Sequence, residues 1–303
     1  MKIALTGATG FIGKYIVERL VGDGHSLRCW YRDESNRKPL EAYSDSIEWV
    51  AGNLGDLDSA NALIKGCDAV VHNAFWRPGE GFRGTEGDLV EFTRVNISGT
   101  LNLIQRSIAL GAKRFVFVST CAVHERILDD RPLDESHPLW PLSHYGAHKA
   151  AIEKFVHSFG YGNDYSTCSI RPSGVYGIRN PLPKSKWYSL VSQVVAGEDV
   201  EVAGGGKEVH ASDVANGINV LLKAASVTGE SYSCCDRYIS QYEVATIAKE
   251  ICGSASQIIG EPKQPKHQIV TDKIEALGMR FGGVDLLRST IVDMVEQLQK
   301  TGN

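Results

Sequence analysis

Lys2-Ile3-Ala4-Leu5-Thr6-Gly7-Ala8-Thr9-Gly10-Phe11-Ile12-Gly13 is a short apolar run that gives way to three glycines and then to a helical pattern. Lys2–Leu5 reads as a buried strand, and Phe11–Leu20 as an amphipathic helix. In the turn between them Gly7 supplies tight backbone, Gly10 a close approach, and Gly13 close packing of helix on strand. The helix N-terminus adds N–H donors and a partial positive charge, which suits a pyrophosphate. A glycine triplet also makes plain structural turns. Its place after the first strand of an α/β chain points to a dinucleotide.

Outward from this stretch, strands are predicted at Ser26–Trp30, Ile47–Val50, Ala69–His72, Phe115–Ser119 and Thr167–Arg171. Continuous apolar runs such as Phe115–Val118 suit a parallel sheet covered on both faces. Leu89, Phe92, Ile97, Leu101, Ile104 and Ile108 trace a helix stripe between two of the strands. The alternation predicts an α/β fold, a Rossmann-type doubly wound parallel sheet with right-handed crossovers. After Arg171 the texture changes, with Pro172, Pro181, Pro183 and Gly204-Gly205-Gly206 breaking the pattern. We therefore assign 1–171 to a dinucleotide-binding domain and 172–303 to a smaller, mostly helical substrate lobe. Residues 208–237 are expected to return to the sheet, and a last amphipathic helix to span 285–300.

The 303 residues carry 36 acidic and 32 basic side chains, a formal net charge of −4 that argues against a phosphate-backbone binder. No apolar run approaches the ~18 residues of a membrane span. The N-terminus enters a strand at once and lacks a signal-peptide layout. Seven cysteines with no Cys-x-x-Cys pair fit thiols in a reducing cytoplasm. His144 and His148, four residues apart, lack the glutamate of a metal motif, so no metal is expected. These readings imply a cytoplasmic protein acting on a small molecule, with neither nucleic acid nor membrane as partner.

Tyr145 and Lys149 share one helix face. A phenol is a poor base at neutral pH, and a nearby ammonium favours its ionised form. Thr120, just past the fifth strand, lies at the carboxyl edge where α/β sheets bind ligands. Its hydroxyl is placed to hold a substrate oxygen. At the end of the second strand, where many NAD enzymes carry a carboxylate, the chain has Tyr31 and then Arg32. A guanidinium grips a 2′-phosphate, so Arg32 leans the cofactor toward NADP; pairing with Asp33 or Glu34 is the structural alternative.

With these residues in place the chain resembles the extended short-chain dehydrogenase/reductase family, the NAD-dependent epimerase/dehydratase group, over almost its whole length. Thr6–Gly13 looks like the family's phosphate loop, Asp68–Ala74 its fourth-strand motif, and Asn96–Thr100 its helix motif. Tyr145 and Lys149 match the catalytic pair, with Thr120 at the place of the catalytic Ser/Thr. Arg171–Gly177 and Val209–Ala215 resemble later family motifs.

The resemblance implies hydride exchange between nicotinamide C4 and a carbon bearing a hydroxyl or carbonyl. Tyr145 would pass the proton, Lys149 would tune it and bond the nicotinamide ribose, and Thr120 would hold the oxygen. Gly7, Gly10, Phe11, Ile12, Gly13, Arg32, Asn53, Leu54, Ala74, Phe75, Asn96 and Ser173 are the further cofactor candidates. Trp76, Cys121, His124, Tyr176 and Arg179 are substrate-side candidates, and His72 reads as a structural strand histidine. Cys121-Ala122 stand where sugar dehydratases carry Asp-Glu, which argues against dehydration. Gly204–His210 is shorter than the family's stretch and lacks its diphosphate-holding arginine, which weighs against a nucleotide sugar. The expected activity is an oxidoreductase or epimerase on a small polar, sugar-like compound. An NADPH-dependent carbonyl reductase on a non-sugar substrate and a non-catalytic dinucleotide sensor are the alternatives. The helices around Asn96–Leu110 and Tyr145–Phe159 resemble those of a homodimer interface in relatives.

Overall fold

The computed structural model describes residues 1–79 and 86–301. Its strands, in chain order, are β1 (Lys2–Thr6), β2 (Ser26–Tyr31), β3 (Ile47–Ala51), β4 (Ala69–His72), β5 (Arg114–Val118), β6 (Thr167–Pro172), β7 (Gly174–Tyr176), β8 (Val200–Val202), β9 (Gly205–His210), β10 (Glu230–Cys234), β11 (Arg237–Ser240) and β12 (Ile258–Gly260). The helices are α1 (Phe11–Gly22), α2 (Leu57–Ile64), α3 (Leu89–Thr93), α4 (Gly99–Ala109), α5 (His144–Asn163), α6 (Tyr188–Val195), α7 (Ala211–Lys223), α8 (Gln241–Cys252), α9 (Asp272–Glu275) and α10 (Gly283–Thr301).

Seven strands form one parallel sheet in the order β10-β6-β5-β4-β1-β2-β3. This is the doubly wound arrangement expected from the sequence. Burial on both faces requires continuous apolar strands, and Ile3, Leu5, Val70, Val71, Phe115, Val116 and Phe117 are all fully buried. The order reverses at the β1–β4 junction, so the carboxyl ends of those two strands open a crevice. Thr6 and His72 pair across that junction and bring the glycine turn beside Asn73 and Ala74.

The chain divides into two compact units. The first comprises Met1–Pro172, Val214–Cys234 and Val270–Met279; the second comprises Ser173–Asp213, Cys235–Ile269 and Arg280–Asn303. The linear division at Arg171 is thus crossed twice. Strand β10 rejoins the large sheet, whereas β9, inside the stretch expected to return, pairs with β7 and β11 in the second unit. That unit packs α6, α8 and α10 around Tyr176, Val191, Ile239, Leu287 and Ile291. Local apolar runs cannot report which of two sheets a strand joins, because both choices bury the same side chains.

Two local features of the first unit place its functional residues. Arg94–Ser98 is a π-helical turn between α3 and α4, a rare mid-helix irregularity, and it carries Asn96. Helix α5 begins at Ser143, whose side chain accepts from Gly146 N–H, while Glu125 accepts from the Leu142 and Ser143 N–H groups at 2.5 and 2.7 Å. A Cβ at Gly146 would come within 2.5 Å of the Ala122 carbonyl oxygen. Glycine here lets the first turn of α5 close on the segment after β5.

Beneath the sheet edge, Arg171 and Glu153 form an ion pair at 2.6 Å with side chains only 2% and 0% exposed. Arg171 also donates to His124 Nε2 at 3.1 Å, and Ser231 Oγ to Glu153 at 3.4 Å. Removing one partner of such a pair strands a charge out of water. Arg171→Met is therefore expected to lower stability by about 3–5 kcal/mol. Urea unfolding measures it, and a loss below ~1 kcal/mol would mean that Glu153 is rescued by other donors.

Candidate active site

The phosphate loop fits a dinucleotide diphosphate. Gly7 sits at φ +74, and a Cβ there would lie 2.9 Å from the Ala74 nitrogen. A Cβ at Gly13 would strike the Gly7 carbonyl oxygen, so α1 packs on the turn only through glycine. Gly10 caps α1 without a side-chain acceptor, and the first turn, which includes Phe11 and Ile12, carries no carboxylate. The helix end is left to an external anion rather than to the protein's own acid.

At the adenine side Asn53 is exposed, while Leu54 is 9% exposed and packs against Gly99 at the start of α4. Arg32 is ion-paired with Glu34 at 3.0 Å, both side chains more than half exposed. Such a surface pair is worth under ~1 kcal/mol, so it is readily exchanged for a ligand phosphate. Arg37 lies over the Tyr31 ring at 4.4 Å.

On the other side of the crevice, Tyr145 and Lys149 project from α5 toward the end of β5. Lys149 Nζ donates to the Val118 carbonyl at 2.7 Å and lies 4.6 Å from the Phe117 ring centroid. Burial pulls its ammonium down to about 7, against Glu153 one turn along, which raises it. Thr120 accepts from Ala122 N–H at 3.1 Å and hydrogen-bonds the Tyr145 phenol. Burial pushes that phenol up to about 12; the Thr120 bond and then the Arg77 cation pull it down, and Cys121 adds to the rise.

This corrects one sequence expectation. Lys149 was expected to lower the phenol, but the groups doing so are Thr120 and Arg77. The effect of Arg77 on the phenol was not legible in the sequence, because spacing along a loop does not reveal which way a guanidinium points.

Aromatic rings seal the cluster. Phe75 meets Tyr145 edge-on at 5.2 Å and lies 5.1 Å from His148. His148 bonds the Tyr145 carbonyl through Nδ1 at 2.9 Å, and burial holds it down to about 3, so it is neutral at working pH.

Asn96 spends its amide on the protein. Its Oδ1 accepts from Trp76 N–H at 2.8 Å, and its Nδ2 donates to the carbonyls of Trp76 at 2.8 Å and Phe92 at 3.1 Å. It thereby fixes the segment after β4 rather than reaching for a ligand with its side chain. Trp76 itself is partly buried against the core.

The remaining candidates fall in both units. Cys121 Sγ donates to the Arg171 carbonyl at 2.9 Å. His124 is buried, with Nδ1 on the Pro138 carbonyl at 3.2 Å and Nε2 on Arg171, so both nitrogens serve the scaffold instead of a substrate. Ser173, Tyr176 and Arg179 belong to the second unit. Ser173 contacts Cys235, Tyr176 is 1% exposed within the apolar core, and Arg179 donates to the Lys184 carbonyl at 3.3 Å. A conformational reason for the difference is plain: motif matching gives a position in the chain, not the side of the strand that packs inward. In the same unit the buried Glu208 carboxylate pairs with Lys186. Among the described residues, no group of three or more His, Cys, Asp and Glu is arranged to hold a metal ion, and no helix is long and apolar enough to cross a membrane.

Glycine turn, switch point and the Thr120–Tyr145–Lys149 cluster together define an enzyme of the extended short-chain dehydrogenase/reductase type. The chain belongs to the NAD dependent epimerase/dehydratase family, whose model matches residues 3–235. It is 25% identical over 319 aligned positions to tetraketide alpha-pyrone reductase 1 of Arabidopsis thaliana, covering 98% of this chain and 96% of that one. It is 28% identical over 265 positions to a trifunctional UDP-glucose 4,6-dehydratase/UDP-4-keto-6-deoxy-D-glucose 3,5-epimerase/UDP-4-keto-L-rhamnose-reductase of the same plant, with 82% of this chain matched. The match spans only 39% of that larger protein. A crystal structure of UDP-glucose 4-epimerase from Thermotoga maritima with UDP-glucose superposes with a TM-score of 0.80 at 21% identity, covering 100% of both chains, which establishes the shared fold.

The Lys149 environment has a consequence for stability. Its folded pKa lies below the unfolded value, so between about pH 7 and 10 the unfolded chain binds more protons and stability rises with pH. Lys149→Met is expected to abolish that rise. Thermal midpoints of the two proteins should converge from pH 7 to 10, and parallel curves would contradict the assignment.

Proposed function

We propose that this protein transfers a hydride between nicotinamide C4 and a carbon bearing a hydroxyl or carbonyl, on a small polar, sugar-like substrate. The observation that carries the reading is the Thr120–Tyr145 hydrogen bond beside the Phe75 ring, with Lys149 four residues along the same helix. A bound nicotinamide would supply the two-electron chemistry; the chain's residues handle the oxygen and its proton. With its phenol held up to about 12, Tyr145 keeps its proton at neutral pH and is set to give it to a carbonyl oxygen. Thr120 orients that oxygen, and the Arg77 cation favours the phenolate left behind. For the reverse direction Tyr145 must first release its own proton to solvent, which the same two groups favour, before the phenolate accepts the substrate's proton. Phe75, edge-on to Phe92, packs against the Tyr145 ring and limits its orientation.

Net carbonyl reduction with NADPH is the second reading. Arg32 supports it, as does the likeness to a reductase along nearly the whole chain. Substrates carrying a nucleoside diphosphate are disfavoured, since residues 204–210 hold no arginine and Lys186 is neutralised by Glu208. The working state we infer is a cytoplasmic homodimer. All seven cysteines are free thiols, and Val90, Ile108 and Phe155 leave apolar surface on α3, α4 and α5.

Tyr145→Phe is expected to cut kcat by about 10²–10⁴ while leaving the dinucleotide Kd within a factor of two. Unchanged turnover would remove the proposed proton path. Fluorescence titration should give NADPH the tighter Kd, and Arg32→Gln should erase the difference. Equal affinities for NADH and NADPH in the parent protein would end the NADP assignment.

A further inference from the structure

A chain of buried hydrogen bonds runs from β1 through β4 to the π-helical turn, and its direction is fixed. Thr6 Oγ1 accepts from the N–H groups of Asn73 at 3.1 Å and Ala74 at 3.0 Å. Both lone pairs are then used, so its proton goes to His72 Nδ1, 2.7 Å away. The ring must therefore carry its own proton on Nε2, which donates to Thr100 Oγ1 at 2.8 Å. Thr100 donates in turn to the Asn96 carbonyl at 2.6 Å. Thr6, His72 and Thr100 are at most 1% exposed, so water cannot stand in for a missing link. Burial, with Lys149 and His148 adding to it, holds the imidazole down to about 3. A second ring proton would face a hydroxyl with no lone pair left. The chain thus has a single arrangement at working pH.

Its two ends touch the two halves of the site. At the first, the Asn73 amide donates to the Gly7 carbonyl at 3.2 Å, and the backbone of Ala74 abuts Gly7. At the second, Asn96 grips both backbone polar groups of Trp76. Trp76 lies between Phe75, in contact with the Tyr145 ring, and Arg77, whose charge acts on the same phenol. We propose that His72 is a positioning residue that couples the phosphate loop to the Phe75–Arg77 segment, so that a dinucleotide seated on the loop orders the wall of the reaction site. This rests on the dinucleotide reading of the loop given above.

The test compares hydrogen exchange with and without NADPH. In the parent protein NADPH should slow exchange both at residues 7–13 and at residues 74–77. Thr100→Val keeps the side-chain shape but removes the acceptor for His72 and the donor to Asn96. It should retain the slowing at 7–13 and lose it at 74–77. His72→Asn, which still offers an acceptor toward Thr6 but is too short for Thr100, should behave like Thr100→Val. Slowing at 74–77 equal to the parent's in both variants overturns the proposal.

A second arm needs no cofactor. In a double-variant cycle by urea unfolding, Thr6→Val and Thr100→Val should depart from independence by about 3-fold or more in the unfolding constant, because both side chains bond the same imidazole. Independent effects would likewise overturn it. Should the parent protein bind no dinucleotide, the function proposed above falls, and this cycle still decides the relay.

Discussion

The site depends on one constraint: an ammonium taken out of water beneath the end of β5. Lys149 reaches the Val118 carbonyl past Phe117 and is only 4% exposed. Desolvating a cation is costly unless it is neutralised or bonded. The nearest carboxylate on its own helix, Glu153, is gripped in bidentate fashion by Arg171. Lys149 therefore sits near neutrality, while the phenol four residues earlier is pushed the opposite way by the same dry surroundings. Burial moves both groups toward their neutral forms, so the cluster stores little net charge.

The rest of the first unit is arranged to tolerate that constraint. Gly146 lets α5 close on the turn after β5, which brings Tyr145 to Thr120. The buried histidines remain neutral: His72 and His148 are both held down to about 3, chiefly by burial. Adding positive charge beside Lys149 would raise the cost further. Order is supplied by hydrogen bonds instead, through the amide of Asn96 and the imidazole of His72, which leave no polar atom to compete with a ligand.

Some of this was legible without coordinates. The glycine turn, the alternation of apolar runs with helical stripes and the Tyr145–Lys149 spacing are local patterns, and local patterns survive in one dimension. The central sheet and the elements that carry the catalytic candidates follow from them. Less was legible where function depends on which neighbour a side chain meets. His124 looked like a pocket residue by position and is instead a partner of Arg171. Tyr176 lies in a motif yet fills an apolar core, and β9 left the large sheet for a smaller one. Each outcome turns on a choice of face or partner among sequence-distant segments that are equally apolar.

The sequence by itself determined the glycine turn, the parallel sheet and the family, because each needs particular residue types at fixed short spacing. The tertiary structure decided their chemistry. It placed Arg77 among the groups that pull the Tyr145 phenol down, tied Arg32 to Glu34, and bonded the strand residue His72 to Thr6 and Thr100. These are consequences of burial and of distance between residues remote in the chain. Dielectric and direction exist only once the chain is folded.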